Sequence, residues 1–208
     1  MNKKFLKGIY AITPNDLDEE VLLKKVTDLL KGGIKLVQYR DKFRDRKDKL
    51  KISLKVKEIC DYFDSFLIIN DDPLLTKQVS ANGVHLGQED MPYKEARNIL
   101  GPDAIIGISC HNNIDLALKA ESQGADYVAF GSLFNTKTKN RVIKSSIDEI
   151  ELLVSKVKIP TVVIGGLNLS NLNQLLSSKA DMFAISSGLF DEEDLSATAS
   201  LFIKNLKS

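Results

Sequence analysis

FLIINDDP, Phe66 to Pro73, runs four apolar residues straight into an amide, two carboxylates and a proline. A short apolar run bounded by turn formers reads as a strand buried on both faces. Strands of that kind belong to parallel sheets covered by helices. The same unit recurs on either side of it. Outward from FLIIN (Phe66–Asn70) lie GIYAIT (Gly8–Thr13), KLVQYR (Lys35–Arg40), GVHLG (Gly83–Gly87), AIIGIS (Ala104–Ser109), YVAFG (Tyr127–Gly131), TVVIGG (Thr161–Gly166) and MFAISS (Met182–Ser187). Each is predicted to be followed by a helix. DEEVLLKKVTDLLKGG opens with acids, carries lysines further on and closes on glycine, and NIDLALKAESQGA closes similarly. Eight strand–helix units argue for a (β/α)8 TIM barrel, α/β in class, with residues 1–208 as one domain. The alternative, an open doubly wound sheet, expects an early G-x-G-x-x-G after a strand, and none is present.

Composition narrows the partners. With 29 basic and 28 acidic residues the net charge is +1, so no global field recruits nucleic acid or a membrane surface. Small molecules are the expected ligands, and the composition leaves room for a homo-oligomer. Cys60 and Cys110 stand far apart without metal-ligand spacing, which fits free thiols and a cytoplasmic address. No apolar run has the length of a signal peptide core or a membrane span.

A barrel of this type carries its chemistry at the carboxyl ends of its strands. Collected there are Thr13; Gln38, Arg40 and Lys42; Asn70 and Asp71; Gln88, Glu89 and Asp90; Ser109 and His111; Ser132, Thr136 and Lys139; Gly165 and Gly166; Ser186, Ser187 and Gly188. Any one of them could be a cap or turn residue. Together they sort by charge. Gln38, Arg40, Lys42 and Lys139 supply donors and positive charge suited to phosphate oxygens. Asp71 and Asp90 supply hard oxygen ligands. Cations and carboxylates on one rim point to a diphosphate with Mg2+ between them, since magnesium is held by one or two carboxylates plus substrate phosphates. Asp72, directly before Pro73, is read as the cap of the next helix. The glycines of VVIGGLN and the serines of AISSG, expected just before the eighth helix, suggest a second phosphate site. His85 reads as a hydrogen-bonded structural histidine, Cys110 as a packed thiol, and KFRDRKDKLK beyond Lys42 as a solvated helix face.

The motifs GIYAIT, VQYRDK, LIINDD, GVHLGQED, IGIS, GADYVAFGSLFNTKTK, IGGL and AISSGLF resemble, in order and over almost the whole chain, those of thiamine phosphate synthases. The resemblance implies a transferase that joins a hydroxymethylpyrimidine group, carried as its diphosphate, to thiazole phosphate, giving thiamine phosphate and pyrophosphate. It implies that Gln38, Arg40, Lys42, Asn70 and Lys139 hold the diphosphate, Asp71 and Asp90 the Mg2+, Ser109 the pyrimidine, and Thr136, Gly166, Ser186 and Ser187 the thiazole phosphate. Arg40, Lys42, Ser109 and Lys139 would form the catalytic set. Asn135 departs from the family, which commonly has proline there. Three alternatives stay open at this point. A thiazole tautomerase of the same superfamily would carry a histidine where Ser132 stands, a phosphosugar epimerase would use its carboxylates for proton transfer, and a binding-only barrel would take both ligands without turnover.

Overall fold

The computed structural model describes residues 6–15, 17–131 and 146–206. Eight parallel strands close into a barrel in sequence order: β1 (Gly8–Ile12), β2 (Leu36–Tyr39), β3 (Phe66–Asn70), β4 (Gly83–Leu86), β5 (Ile105–His111), β6 (Tyr127–Phe130), β7 (Thr161–Ile164) and β8 (Met182–Ile185). Closure is made by β1 against β8, with Ile9 opposite Phe183 and Ala11 opposite Ile185. The expected TIM barrel is therefore the architecture observed.

Both faces of the strands are buried, and the alternation of side chains divides the core in two. Tyr10, Leu36, Ile68, Ile105, Tyr127, Val162 and Met182 point inward and fill the barrel. Ile9, Val37, Leu67, Val84, Ile106 and Val128 point outward and pack on the helices, against residues such as Val26, Leu29 and Val56. This two-sided burial is why the strands read as unbroken apolar runs.

The helices are α1 (Glu19–Lys31), α2 (Arg46–Tyr62), α3 (Pro73–Gln78), α4 (Tyr93–Leu100), α5 (Ile114–Gln123), α6 (Ile147–Ser155), α7 (Ser187–Phe190) and α8 (Leu195–Asn205). Local chemistry sets their ends. Asn113 caps α5 by accepting from the backbone of Asp115 and Leu116, and Gly124 closes the same helix in the left-handed region. Asp72 accepts from Leu75 N–H with Pro73 at the first turn of α3, as expected.

The sequence reading needs three corrections. The seventh unit has a 3-10 helix, Leu172–Ser178, in place of an α-helix. The serines after β8 open the four-residue α7, and the longer α8 comes later. β5 runs two residues beyond Ser109, with a register irregularity between Ser109 and His111 where the strand reaches the rim. Among the described residues, no helix is long and apolar enough to cross a membrane.

Candidate active site

Among the described residues, side-chain and backbone hydrogen bonds tie the loops that form the rim at the carboxyl ends of the strands. At the end of β2, Thr13 Oγ1 accepts from Arg40 N–H at 2.8 Å and donates to the Arg40 carbonyl at 3.2 Å, so Thr13 is committed to the backbone. Past Arg40, the Lys42 ammonium lies 3.2 Å from Asp71 Oδ2. Asp71 follows β3 with φ +65°, a left-handed conformation that is uncommon outside glycine, and its N–H donates to the His85 carbonyl at 2.8 Å. The strain is accepted at the point where the carboxylate meets Lys42.

Asp90 arrives from the loop after β4, where its Oδ2 accepts from Gly87 N–H at 2.6 Å. Burial raises its pKa above the ordinary carboxylate range, the Gly87 N–H opposes this, and hydrogen-bonding and charge contact with the Asp71 carboxyl raise it further. The Asp71 and Asp90 carboxyls thus meet beside Lys42. The part of the Asp90 shift that comes from the Asp71 carboxyl is like-charge contact, which a divalent cation held by both groups would relieve. Among the described residues no cluster of three or more histidine, cysteine or acidic side chains could hold a metal. The two carboxylates, Asp71 and Asp90, are the kind of donors that take a divalent cation together with oxygens of a ligand.

Below the rim, a chain of hydrogen bonds crosses the barrel. Gln38 Nε2 donates to Tyr10 Oη at 2.8 Å, Tyr10 and Tyr127 hydroxyls lie 2.9 Å apart, and Tyr127 Oη lies 3.0 Å from His85 Nδ1. Every proton is used once if the donors run from Gln38 through Tyr10 and Tyr127 to His85, which assigns the Nε2–H tautomer to the imidazole. Burial pushes the His85 pKa down to about 4, with the Asp90 charge opposing, so the ring is neutral at pH 7. Burial also holds both phenols protonated. The rings pack as well: Tyr10 meets Tyr127 edge to face, and His85 stacks on Tyr127 at 5.6 Å between centroids. Gly107 makes room for this, because a Cβ there would lie 1.9 Å from Tyr127 Cζ.

Ser109 stands at the edge of that floor on β5, its carbonyl accepting from Gln88 Nε2 at 2.6 Å. Gln88 is thereby a brace from the loop after β4. Asn70 ends β3 opposite His85 in register. Across the mouth, the turns after β7 and β8 come together: a Cβ at Gly188 would lie 2.1 Å from the Leu167 carbonyl oxygen, so only glycine lets the two backbones approach this closely. Gly166, at φ +63°, accepts from Asn171 Nδ2 at 2.9 Å, and Ser186 and Ser187 lead into α7 alongside.

The expected residues Gln38, Arg40, Lys42, Asn70, Asp71, Asp90, Ser109, Gly166, Ser186 and Ser187 thus all lie at the carboxyl-end mouth or just inside it. Gln38 is the deepest of them, 2% exposed. Thr136 and Lys139, like Ser132, lie outside the described residues. Cys110 is buried with its thiol pushed up to about 12, in keeping with a packed rather than a nucleophilic sulfur. His85 is hydrogen-bonded, as read, but to the floor of the candidate site. Sequence reasoning passed over Tyr10 and Tyr127, whose signal is a polar-tipped ring at an inward position of an otherwise aliphatic strand. It also left Arg44 on a solvated face, whereas the side chain folds back onto Asp41 at 2.6 Å.

A profile of the family described as thiamine monophosphate synthase matches residues 9–189. The thiamine-phosphate synthase of Nitrosospira multiformis is 42% identical over 200 residues, covering 96% of this chain and 86% of that protein. That of Thioalkalivibrio sulfidiphilus is 40% identical over 195 residues, covering 93% and 92%. Among solved structures, the thiamine phosphate pyrophosphorylase from Pyrococcus furiosus superposes with a TM-score of 0.87 at 31% identity, over 99% of this chain and 98% of that one. With the match running from the first barrel strand to the short helix after the eighth, this chain belongs to the thiamine monophosphate synthase family.

Proposed function

We propose that the barrel transfers a hydroxymethylpyrimidine group from its diphosphate ester to the ring nitrogen of a thiazole phosphate, releasing pyrophosphate and thiamine phosphate. The observation that carries this reading is the Lys42 ammonium beside the Asp71 and Asp90 carboxyls, in a chain of this family. Fixed positive charge next to a carboxylate pair suits a leaving diphosphate with its counter-cation, both of which the transfer requires.

In the reaction the ester C–O bond breaks, its electron pair leaving with the diphosphate, and an N–C bond forms at the same methylene carbon. The electron-rich aminopyrimidine stabilises the methylene cation between the two events. No proton has to move, so the residues need only bind, orient and neutralise. Arg40, Lys42, Asn70 and Lys139 would hold the diphosphate and stabilise charge as it grows on the leaving oxygens. Asp71 and Asp90 would hold Mg2+, which when bound supplies further neutralisation of that group.

The pyrimidine ring fits the floor inside the mouth. Gln38, expected at the phosphates, is sealed one layer below Arg40 and suits the amino-substituted ring better. Neutral His85, held by the sealed phenols beneath it, offers it a hydrogen bond without charge, while Ser109 borders the same space. Thr136, Gly166, Ser186 and Ser187 would take the thiazole phosphate. The facing turns after β7 and β8 favour this, since their close approach brings Gly166, Ser186 and Ser187 to one side of the mouth. Holding both reactants in one mouth replaces a bimolecular encounter by an oriented one.

The test is direct. Folded protein mixed with the pyrimidine diphosphate, thiazole phosphate and Mg2+ is expected to form thiamine phosphate and pyrophosphate in equal amounts. Binding of both substrates with no product would leave a ligand-binding barrel instead, and consumption of either one alone would point to an isomerase or a hydrolase.

A further inference from the structure

Arg44 makes no contact with the carboxylate pair, yet the loop that presents Lys42 is built around it. One guanidinium nitrogen meets Asp41 Oδ2 at 2.6 Å, and the other donates to the Leu17 carbonyl in the loop after β1. Asp41 is sealed, with its side chain 1% exposed. Its Oδ1 accepts from the backbone of Phe43 and Arg44 at 3.1 and 3.0 Å, and its Oδ2 also accepts from Tyr39 Oη at 3.2 Å. A carboxylate offers about four acceptor positions, so Asp41 is fully used by its own loop and has nothing left for a substrate or a cation.

The two cations flanking Asp41 depend on this arrangement to different degrees. Arg40 is secured by Thr13 on both its N–H and its carbonyl. Lys42 lies beyond the strand, and among the described residues its backbone is held by the 3.2 Å bond from its N–H to Asn15 Oδ1. Turning the chain at Asp41 therefore decides where the Lys42 side chain starts. A half-buried ion pair carries a desolvation cost that an apolar pair would avoid, and such pairs are best explained where they select one geometry.

We propose that Arg44, acting through the Asp41 carboxylate, is a positioning residue for the transfer reaction: it fixes the loop backbone from which Lys42 reaches the departing diphosphate. This rests on the role given to Lys42 above. A displacement of the order of one ångström at such a group costs about a hundredfold in rate.

A double-mutant cycle in the full chain tests it, using Arg44→Met, Lys42→Ala and the pair together, with kcat and both KM values read well below each variant's melting temperature. Arg44→Met is expected to lower kcat about 10- to 100-fold, with the KM for thiazole phosphate within twofold of the parent. In the Lys42→Ala background the same substitution is expected to cost less than threefold, because the group it positions is gone. Arg44→Lys should recover part of the loss, since an ammonium can pair with Asp41 but cannot also span to Leu17. If Arg44→Met does not fold, Arg44→Gln, which keeps a donor for one of the two partners, takes its place in the cycle. Equal losses in the two backgrounds, or a kcat within twofold of the parent for Arg44→Met, would overturn the proposal. Parent-like activity in Lys42→Ala would also remove it, by removing the role of Lys42 while leaving the overall reaction in place.

Discussion

Protonation of His85 offers a sharp test of the barrel floor. The imidazole is neutral in the folded protein because burial pushes its pKa from an ordinary 6.5 down to about 4. Above pH 6.5 the folded and unfolded states both carry a neutral ring, and the residue contributes nothing to pH dependence. Below 6.5 the unfolded chain binds a proton that the folded one refuses, so stability falls with pH until about 4, where the folded ring protonates as well and the loss is complete. The slope is about 1.36 kcal/mol per pH unit, giving a ceiling of about 3 kcal/mol between pH 6.5 and about 4. His85 is half-buried rather than sealed, so partial solvation trims this to about 1–3 kcal/mol. His85→Asn is the matching variant. Its amide oxygen can still accept from Tyr127, but it does not titrate. Urea unfolding of both proteins at pH 7.5, 6.5, 5.5 and 5.0 gives a double difference in which groups that titrate elsewhere cancel. The parent is expected to lose about 1–2 kcal/mol more than His85→Asn between pH 6.5 and 5.0. Parallel curves for the two proteins would mean that the ring is charged or solvated, and the proton ordering from Gln38 to His85 would have to be abandoned.

Other substitutions probe the remaining parts of the mouth. Gly107→Ala drives a methyl into the Tyr127 ring and should cost about 1–3 kcal/mol in urea unfolding, with a raised KM for the pyrimidine diphosphate but not for thiazole phosphate. Asp71→Asn, whose amide tolerates the left-handed backbone, should shift a magnesium titration of activity at least tenfold, whereas Asp72→Asn, which can still cap α3, should leave it within twofold. Ser187→Asp places a negative charge beside the turns after β7 and β8. It should raise the KM for thiazole phosphate with an unchanged melting temperature, since the side chain is exposed. An unaltered KM would move that phosphate away from α7.

The sequence determined the repeating unit. A strand buried on both faces needs apolar residues at every position, so FLII, TVVI and their six counterparts were legible without the fold, as were the polar residues that end them. Asp72 was legible as a cap because a cap is a local event, decided by a side chain and an N–H three residues on. Reading was weaker where local signals conflict. LNQLLSS has an apolar spacing that suits a helix, but its Asn and Ser side chains compete for backbone groups, as Ser178 does with the Leu175 carbonyl, and a 3-10 helix results. The depth of each residue below the rim was set only by barrel closure. Tyr10 and Tyr127 are 117 residues apart, and nothing local says that their hydroxyls meet. The same holds for Asp71 and Asp90, whose shared charge appears only when β3 and β4 lie side by side. Arg44 was hidden for a related reason: its partners include a carbonyl 27 residues away, and in sequence it stands among charges that face solvent. Local propensity acts between residues a few positions apart, whereas the hydrogen bonds and charge pairs of this mouth join strands whose neighbours are chosen by the way the sheet closes.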